Sequence, residues 1–365
     1  MSPPSFVRTC VAAMSGYAPG EQPGAGARVV KLNTNELPFP PSPKVLEAIR
    51  ELDAEALRKY PDPTATKFRT AAARVLSTKV PGLRPEMIIA GNGSDDILTI
   101  ATRTFVPPSG VIASPDPSYS LYPVLSQIQD ARHVGVAWEG DFQLPINALL
   151  QTNADAIYLA NPNAPTGTIV PLEQIAALAS QFAKLLLVDE AYVDFAPPGT
   201  TALSLLEAHP NIVVSRTMSK GYGLAGLRFG YAVANESVIE QMMKVKDSYN
   251  CDAISIQAAT AAIGDQAYAV ACWGRVCEER ERLVISLDGL GFTCVPSHAN
   301  FVLATVPSGS VARDLYHGLK QQGILVRFFD KIGLNDKIRI TVGSGQENDA
   351  LIAGLTSLIE KLKAA

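Results

Sequence analysis

The chain has 365 residues, of which 47% are hydrophobic, so it can bury a sizeable core and global disorder is excluded. Its formal net charge of −4 comes without a basic tract, which argues against nucleic acid or an anionic membrane surface as partner. Five cysteines without CxxC or finger spacing read as reduced thiols of a cytoplasmic protein, and four scattered histidines argue against a metal site.

Residues 1–41 are rich in proline and glycine and read as an arm. "FVRTCVAAM" is interrupted by Arg8 and lacks a basic leader, so it does not read as a secretory signal, and no stretch has the length to span a bilayer. Ser42 then predicts an N-cap with Pro43 at the first helical position, and Val45, Leu46, Ile49 and Leu52 make one apolar face. Short apolar runs follow, alternating with helical patterns. "MIIA" (87–90) precedes a helix from Ser94, and "GVIAS" (110–114) precedes a helix near Ser118. "AIYLA" (156–160), the helical "PLEQIAALASQF" (171–182), "KLLLVDE" (184–190), "NIVVS" (211–215) and "RFGYAVA" (228–234) continue the alternation. Continuous apolar strands between helices predict an α/β fold with a mostly parallel sheet covered on both faces. From "RVCEERERLVISL" (275–287) the pattern leaves this unit, and "FTCV", "NFVLATV", "ILVRFF" and "KIRITV" with two helices predict a smaller α/β domain. The expected division is a large domain over 42–275, with the arm 1–41 and the C-terminal 276–365 forming the small one.

In open α/β sheets ligands bind beyond the carboxyl ends of the strands, and each chemical candidate here follows a predicted strand. "AGNGSDDIL" (90–98) runs a glycine turn into a helix, so Ser94 and Asp95 offer free N–H groups as an anion seat. Taken alone, the same letters describe an ordinary N-cap after a tight turn. The third glycine of a dinucleotide fingerprint is absent, position 96 being Asp. "LLLVDEAY" (185–192) puts Asp189 at the end of a buried strand, where a carboxylate needs a partner. A protonated heterocyclic nitrogen would serve. A Walker B acid would require a phosphate loop that the chain lacks, and a structural ion pair stays open. "DPSYSLY" (116–122) offers Tyr119 either to the core or as a stacking partner.

"TMSKGYGLAGLR" (217–228) sets Lys220 among Thr217, Ser219, three glycines and Arg228. A deprotonated lysine amine captures carbonyl compounds, including pyridoxal phosphate, as imines. Thr217 and Ser219 can bond a phosphate and Arg228 can pair with it as a fork. In isolation the stretch is also an ordinary glycine-rich turn. Together with Asp189 and the seat at 93–95, it completes the inventory of a pyridoxal phosphate site.

The succession G-S-D-D, P-S-Y, N-A-P-T-G, D-E-A-Y and S-K-x-x-x-L-A-G-L-R resembles the fold-type I pyridoxal-phosphate aminotransferases, and within them the histidinol-phosphate aminotransferase family. The resemblance runs from "LNTNELPFPPSP" (32–43) through "KYPDP" (59–63) to "KIRITVGS" (337–344). It implies that Lys220 holds the cofactor as a Schiff base and then shuttles the substrate proton. Asp189 would pair with the ring nitrogen, Tyr192 would bond the phenolic oxygen, and Tyr119 would stack on the ring. Ser94, Asp95, Thr217, Ser219 and Arg228 would cradle the phosphate. Arg339 would bind a substrate carboxylate and Arg327 a second anion, with Tyr17 and Asn33 lining the same pocket. Tyr60 would reach the neighbouring subunit of a homodimer. Where the family has an asparagine before Pro–Thr–Gly, this chain has Ala164, with Asn163 one place earlier as the substitute contact.

The implied reaction moves an amino group between glutamate/2-oxoglutarate and histidinol phosphate/imidazole-acetol phosphate, by double displacement through pyridoxamine phosphate. An aromatic amino-acid aminotransferase, a phosphothreonine-type decarboxylase and a catalytically silent binding protein are the alternatives. Intact Lys220, Asp189 and Arg228 speak against the last.

Overall fold

The computed structural model describes residues 4–17, 19–24, 29–78, 80–140 and 142–364. Its central sheet has seven strands: β1 (Ile88–Gly91), β2 (Val111–Asp116), β3 (Arg132–Ala137), β4 (Ala156–Ala160), β5 (Leu185–Asp189), β6 (Ile212–Thr217) and β7 (Gly230–Ala234). The spatial order is β1-β7-β6-β5-β4-β2-β3, with β7 antiparallel to both neighbours and every other pair parallel. β4, β5 and β7 are buried at every residue because helices cover both faces of the sheet. Alternate side chains feed two separate cores: Ile157, Leu159, Leu186 and Val188 enter one, and Ala156, Tyr158, Leu185 and Leu187 the other.

β3 has no counterpart in the sequence reading. It is one of the two edge strands, half-exposed over "RHVGVA", so it lacks the continuous apolar run that marks its neighbours. The helix expected near Ser118 begins at Leu121, leaving Pro117 to Ser120 as a loop at the carboxyl end of β2. Ser42 caps as expected, its Oγ accepting from the Lys44 N–H at 3.2 Å ahead of the helix Pro43–Arg50.

A second, antiparallel sheet takes β8 (Thr293–Cys294), β9 (Phe301–Thr305), β10 (Arg327–Phe328) and β11 (Lys337–Thr341) in the order β10-β11-β9-β8. The arm joins this unit, because Val30–Lys31 pairs in parallel with Ile324–Leu325 and Leu32 enters its core. The charged pattern at 275–287 is the second half of a longer helix, Gln266–Gly289, whose Ala269 and Trp273 already pack in the smaller core. This helix therefore packs against the smaller core along its whole length, with Ala269, Trp273, Val276, Leu283 and Leu287 all in it. No helix among the described residues is long and apolar enough to cross a membrane.

Candidate active site

Five strands end on one cavity of about 460 Å³, and the arm and the smaller unit close it from the other side. Lys220 lies in the turn after β6, half-buried in the cavity wall. Its Nζ donates to the Thr34 carbonyl at 2.8 Å. Burial first, and the nearby charge of Arg339 second, push its ammonium down to about 8. The small residues around it have a packing reason. A Cβ at position 221 would sit 2.2 Å from Asp194 Oδ2, and the Gly221 carbonyl accepts from Trp273 Nε1 at 2.6 Å. The lysine is held on a backbone that cannot broaden.

Asp189 closes β5 with its side chain buried. Oδ2 accepts from Tyr122 Oη at 3.1 Å, and Oδ1 has no hydrogen-bond partner among the described residues. Loss of hydration raises this carboxyl to about 7, against the pull of the Tyr122 bond. The neighbouring acid has a different lot. Glu190 receives Arg216 at 2.7 Å and the Ala202 N–H at 2.6 Å, so the buried structural ion pair belongs to Glu190 and leaves Asp189 to the cavity.

The turn after β1 is a cradle. Gly93 adopts a φ of +88°, and the helix Ser94–Phe105 points its N-terminus at the cavity with Ser94 and Asp95 in the lining. A Cβ on Gly93 would approach Arg228 Nη2 to 2.6 Å. Arg228 itself has a left-handed φ of +51°, and its guanidinium reaches Ser219 Oγ at 3.4 Å and Asp95 Oδ2 at 3.5 Å. Thr217 Oγ1 accepts from the Ser219 N–H at 3.1 Å. Gly230 of β7 lets this turn close, since a Cβ there would stand 2.5 Å from the Ser94 nitrogen.

Tyr119 and Tyr17 meet edge to face in the cavity wall, 6.3 Å between ring centres. Arg339, half-buried on β11, donates to the Asn33 carbonyl at 3.0 Å, and its guanidinium lies over Phe301 and Phe329. Arg327, on β10, lines the same cavity. Tyr60 is elsewhere: its ring is 80% exposed and stacks on Tyr249 at 4.4 Å. Asn163 does not line the cavity. Its amide donates to the Pro117 carbonyl and Thr166 Oγ1 and accepts from Ser118, which turns it into the loop, while Ala164 takes the lining position. Sequence reasoning does not find Tyr122, Thr34 or Asn35. The only signals for them are the second tyrosine of "PSYSLY" and the "NTN" beside Asn33.

A model of the aminotransferase class I and II family matches residues 27–355, and the chain belongs to that family. It is an enzyme that exchanges an amino group between an amine donor and a 2-oxo acid, and its cofactor is pyridoxal 5′-phosphate. The histidinol-phosphate aminotransferase 1 of a Nostoc species is 44% identical over 356 residues, covering 98% of this chain and 99% of that relative. The histidinol-phosphate aminotransferase of Rhodopirellula baltica is 44% identical over 357 residues, covering 97% and 96%. Among solved structures, the Sinorhizobium meliloti histidinol-phosphate aminotransferase in complex with pyridoxal 5′-phosphate superposes with a TM-score of 0.89 at 30% identity, over 99% of both chains.

Proposed function

We propose that this chain is a histidinol-phosphate aminotransferase, with glutamate/2-oxoglutarate as the other substrate pair. The observation that carries the reading is the placement of two arginines, Arg327 and Arg339, on the cavity that also holds Lys220 and Asp189. A cavity with two separate cations suits substrates that present one anion remote from the reacting amine, whether a phosphate or a second carboxylate. End-to-end likeness to relatives named for this activity supports the same substrate.

The residues present fit the cofactor. A carboxylate with an unused buried oxygen, Asp189, matches a cationic ring nitrogen, and the pairing offsets the desolvation that otherwise keeps its proton on. A helix N-terminus, two hydroxyls and Arg228 match the phosphate. Lys220, whose ammonium titrates near 8, keeps a fraction of neutral amine at neutral pH and can take and return the substrate Cα proton. The cofactor supplies an electron sink for the carbanion that forms as this proton leaves. Of the cavity-lining residues, Tyr192 would bond the phenolic oxygen, Tyr119 would stack on the ring, Arg339 would hold the glutamate α-carboxylate, and Arg327 the remote anion. Tyr17 and Asn33 shape the wall between them. Asn163 has no part, its amide being consumed in the loop. The exposed Tyr60 completes the site of a second copy in a cytoplasmic homodimer.

A half-reaction screen tests the substrate. Cofactor-loaded protein is mixed with histidinol phosphate, glutamate or phenylalanine singly, and loss of the absorbance of the lysine-bound cofactor is followed. Conversion by histidinol phosphate and glutamate supports the reading. Conversion by phenylalanine much faster than by histidinol phosphate transfers the enzyme to the aromatic aminotransferases.

A further inference from the structure

We propose that Asn35 is a positioning residue: its side-chain amide sets the direction of the Tyr192 hydroxyl so that the phenolic proton faces the cavity. The inference rests on the place given above to Tyr192 beside the cofactor.

The direction follows from a chain of donors and acceptors that begins with a group of known polarity. The Asn35 backbone N–H, which can only donate, points to Thr341 Oγ1 at 3.0 Å. The threonine hydroxyl could accept twice, but it is buried and its one proton needs an acceptor; the acceptor it has among the described residues is Asn35 Oδ1 at 3.1 Å. This assigns the oxygen of the amide to Thr341 and its nitrogen to the other side, where Nδ2 stands 3.0 Å from Tyr192 Oη. Tyr192 is therefore an acceptor from Asn35, and its own proton must point elsewhere. Both residues line the cavity.

The rest of Asn35 is arranged to hold this orientation. Its carbonyl accepts from Asn300 Nδ2 at 2.9 Å, and the side chain is buried. Its φ is +58°, a left-handed conformation that asparagine tolerates and most residues resist. The Tyr192 ring is fixed edge-on to Phe301 at 5.0 Å, so the hydroxyl has little freedom besides rotation about its own bond. The neighbouring carbonyls of Asn33 and Thr34 receive Arg339 and Lys220. One short segment of the arm thus touches three of the groups that serve the reaction. The role matters more in this chain because Ala164 brings no second donor to the cavity.

Asn35→Asp reverses the polarity toward Tyr192 while keeping the acceptor for Thr341, and Asn35→Gly keeps the backbone conformation while removing the amide. Two readouts are used. In cofactor-free protein carrying 13Cζ-tyrosine, the Tyr192 resonance (assigned with Tyr192→Phe) reports whether the hydroxyl accepts or donates. In the loaded enzyme, the dissociation constant of pyridoxal 5′-phosphate reports the consequence. At mildly alkaline pH, where the new carboxyl is ionised, Asn35→Asp should move the resonance downfield. It should also weaken cofactor binding about tenfold, as Tyr192→Phe does, the double variant being no weaker than Tyr192→Phe alone. Asn35→Gly should give an intermediate loss. An unmoved resonance in a folded Asn35→Asp protein, or losses that simply add in the double variant, would overturn the proposal. If Tyr192→Phe alone binds cofactor normally, the place of Tyr192 falls and takes the proposal with it, while the resonance still separates that failure from a wrong hydroxyl direction.

Discussion

Tyr122 Oη donates to Asp189 Oδ2 at 3.1 Å, deep in the floor of the cavity. The bond stabilises the ionised form, and burial works against it more strongly, so the carboxyl stands at about 7. A carboxyl raised on folding contributes stability that is complete below the ordinary value of 3.8 and lost as pH rises to about 7. Cofactor-free Asp189→Asn should therefore match the wild type at low pH and become the more stable protein at neutral pH, by about 4 kcal/mol at 1.36 kcal/mol per pH unit. Tyr122→Phe should extend the loss above pH 7, since it removes the larger of the two hydrogen bonds that favour the anion, the other coming from the Ala191 backbone. Denaturant titrations across pH check both, and a pH-independent difference between wild type and Asp189→Asn rules the account out. Added cofactor should cancel the advantage of the asparagine.

Lys220 makes the opposite case. Its ammonium is depressed from 10.5 to about 8, so the cost of burying the charge is complete below 8, fades as pH rises, and is gone above 10.5. Cofactor-free Lys220→Met should thus be more stable than the wild type at pH 7 by about 2–3 kcal/mol, after allowance for the Thr34 carbonyl left without its donor. The gap should close with rising pH. A variant less stable than wild type at pH 7 would show that the lysine contributes packing that outweighs its charge.

What could be read from the sequence shares one property: it is local. Lys220 with its flanking hydroxyls, Gly93 with Ser94, and Asp189 at a strand end are each recognisable within a dozen residues, and the strand-end position gave them a common location. Residues whose meaning depends on distant partners were not legible. Asn35 acts on Tyr192 across 157 positions and Tyr122 on Asp189 across 67, and nothing in their own neighbourhoods signals the contact. Asn163 misled for the converse reason. It stands beside Pro–Thr–Gly in the chain, but the Pro117 carbonyl and Thr166 capture its amide in the turn. The edge strand β3 escaped because half-exposure removes the apolar continuity by which buried strands are recognised.

Gly93→Ala should damage the anion seat without unfolding the protein. The φ of +88° is unfavourable for alanine, and the new Cβ would lie 2.6 Å from Arg228 Nη2. The guanidinium is the far end of a flexible, half-exposed side chain, so it gives way and the backbone stays. Cofactor affinity should fall about tenfold, the cost of misplacing one charge-assisted bond of roughly 1.5 kcal/mol. Binding of inorganic phosphate to the cofactor-free protein should weaken in parallel. Normal phosphate and cofactor binding in the variant would place the anion elsewhere.

Arg327 and Arg339 should separate by substrate. Histidinol phosphate has no carboxylate, whereas glutamate has two, so an arginine devoted to the α-carboxylate matters to one half-reaction only. Arg339 is the candidate for it: its buried Nε has no hydrogen-bond partner among the described residues, and it lies close enough to Lys220 to depress the lysine's ammonium. Arg339→Ala should cripple the glutamate half-reaction and spare the histidinol-phosphate one. Arg327→Ala should weaken histidinol phosphate by about 1.5–3 kcal/mol, the worth of a charge-assisted bond to a phosphate. Glutamate should also lose some affinity in Arg327→Ala, through its side-chain carboxylate. Because Arg339 also supports the Asn33 carbonyl, its removal will cost stability, and the ratio of the two half-reaction rates within each variant is the informative quantity. Equal losses for both substrates in both variants would defeat the division of labour between the two cations.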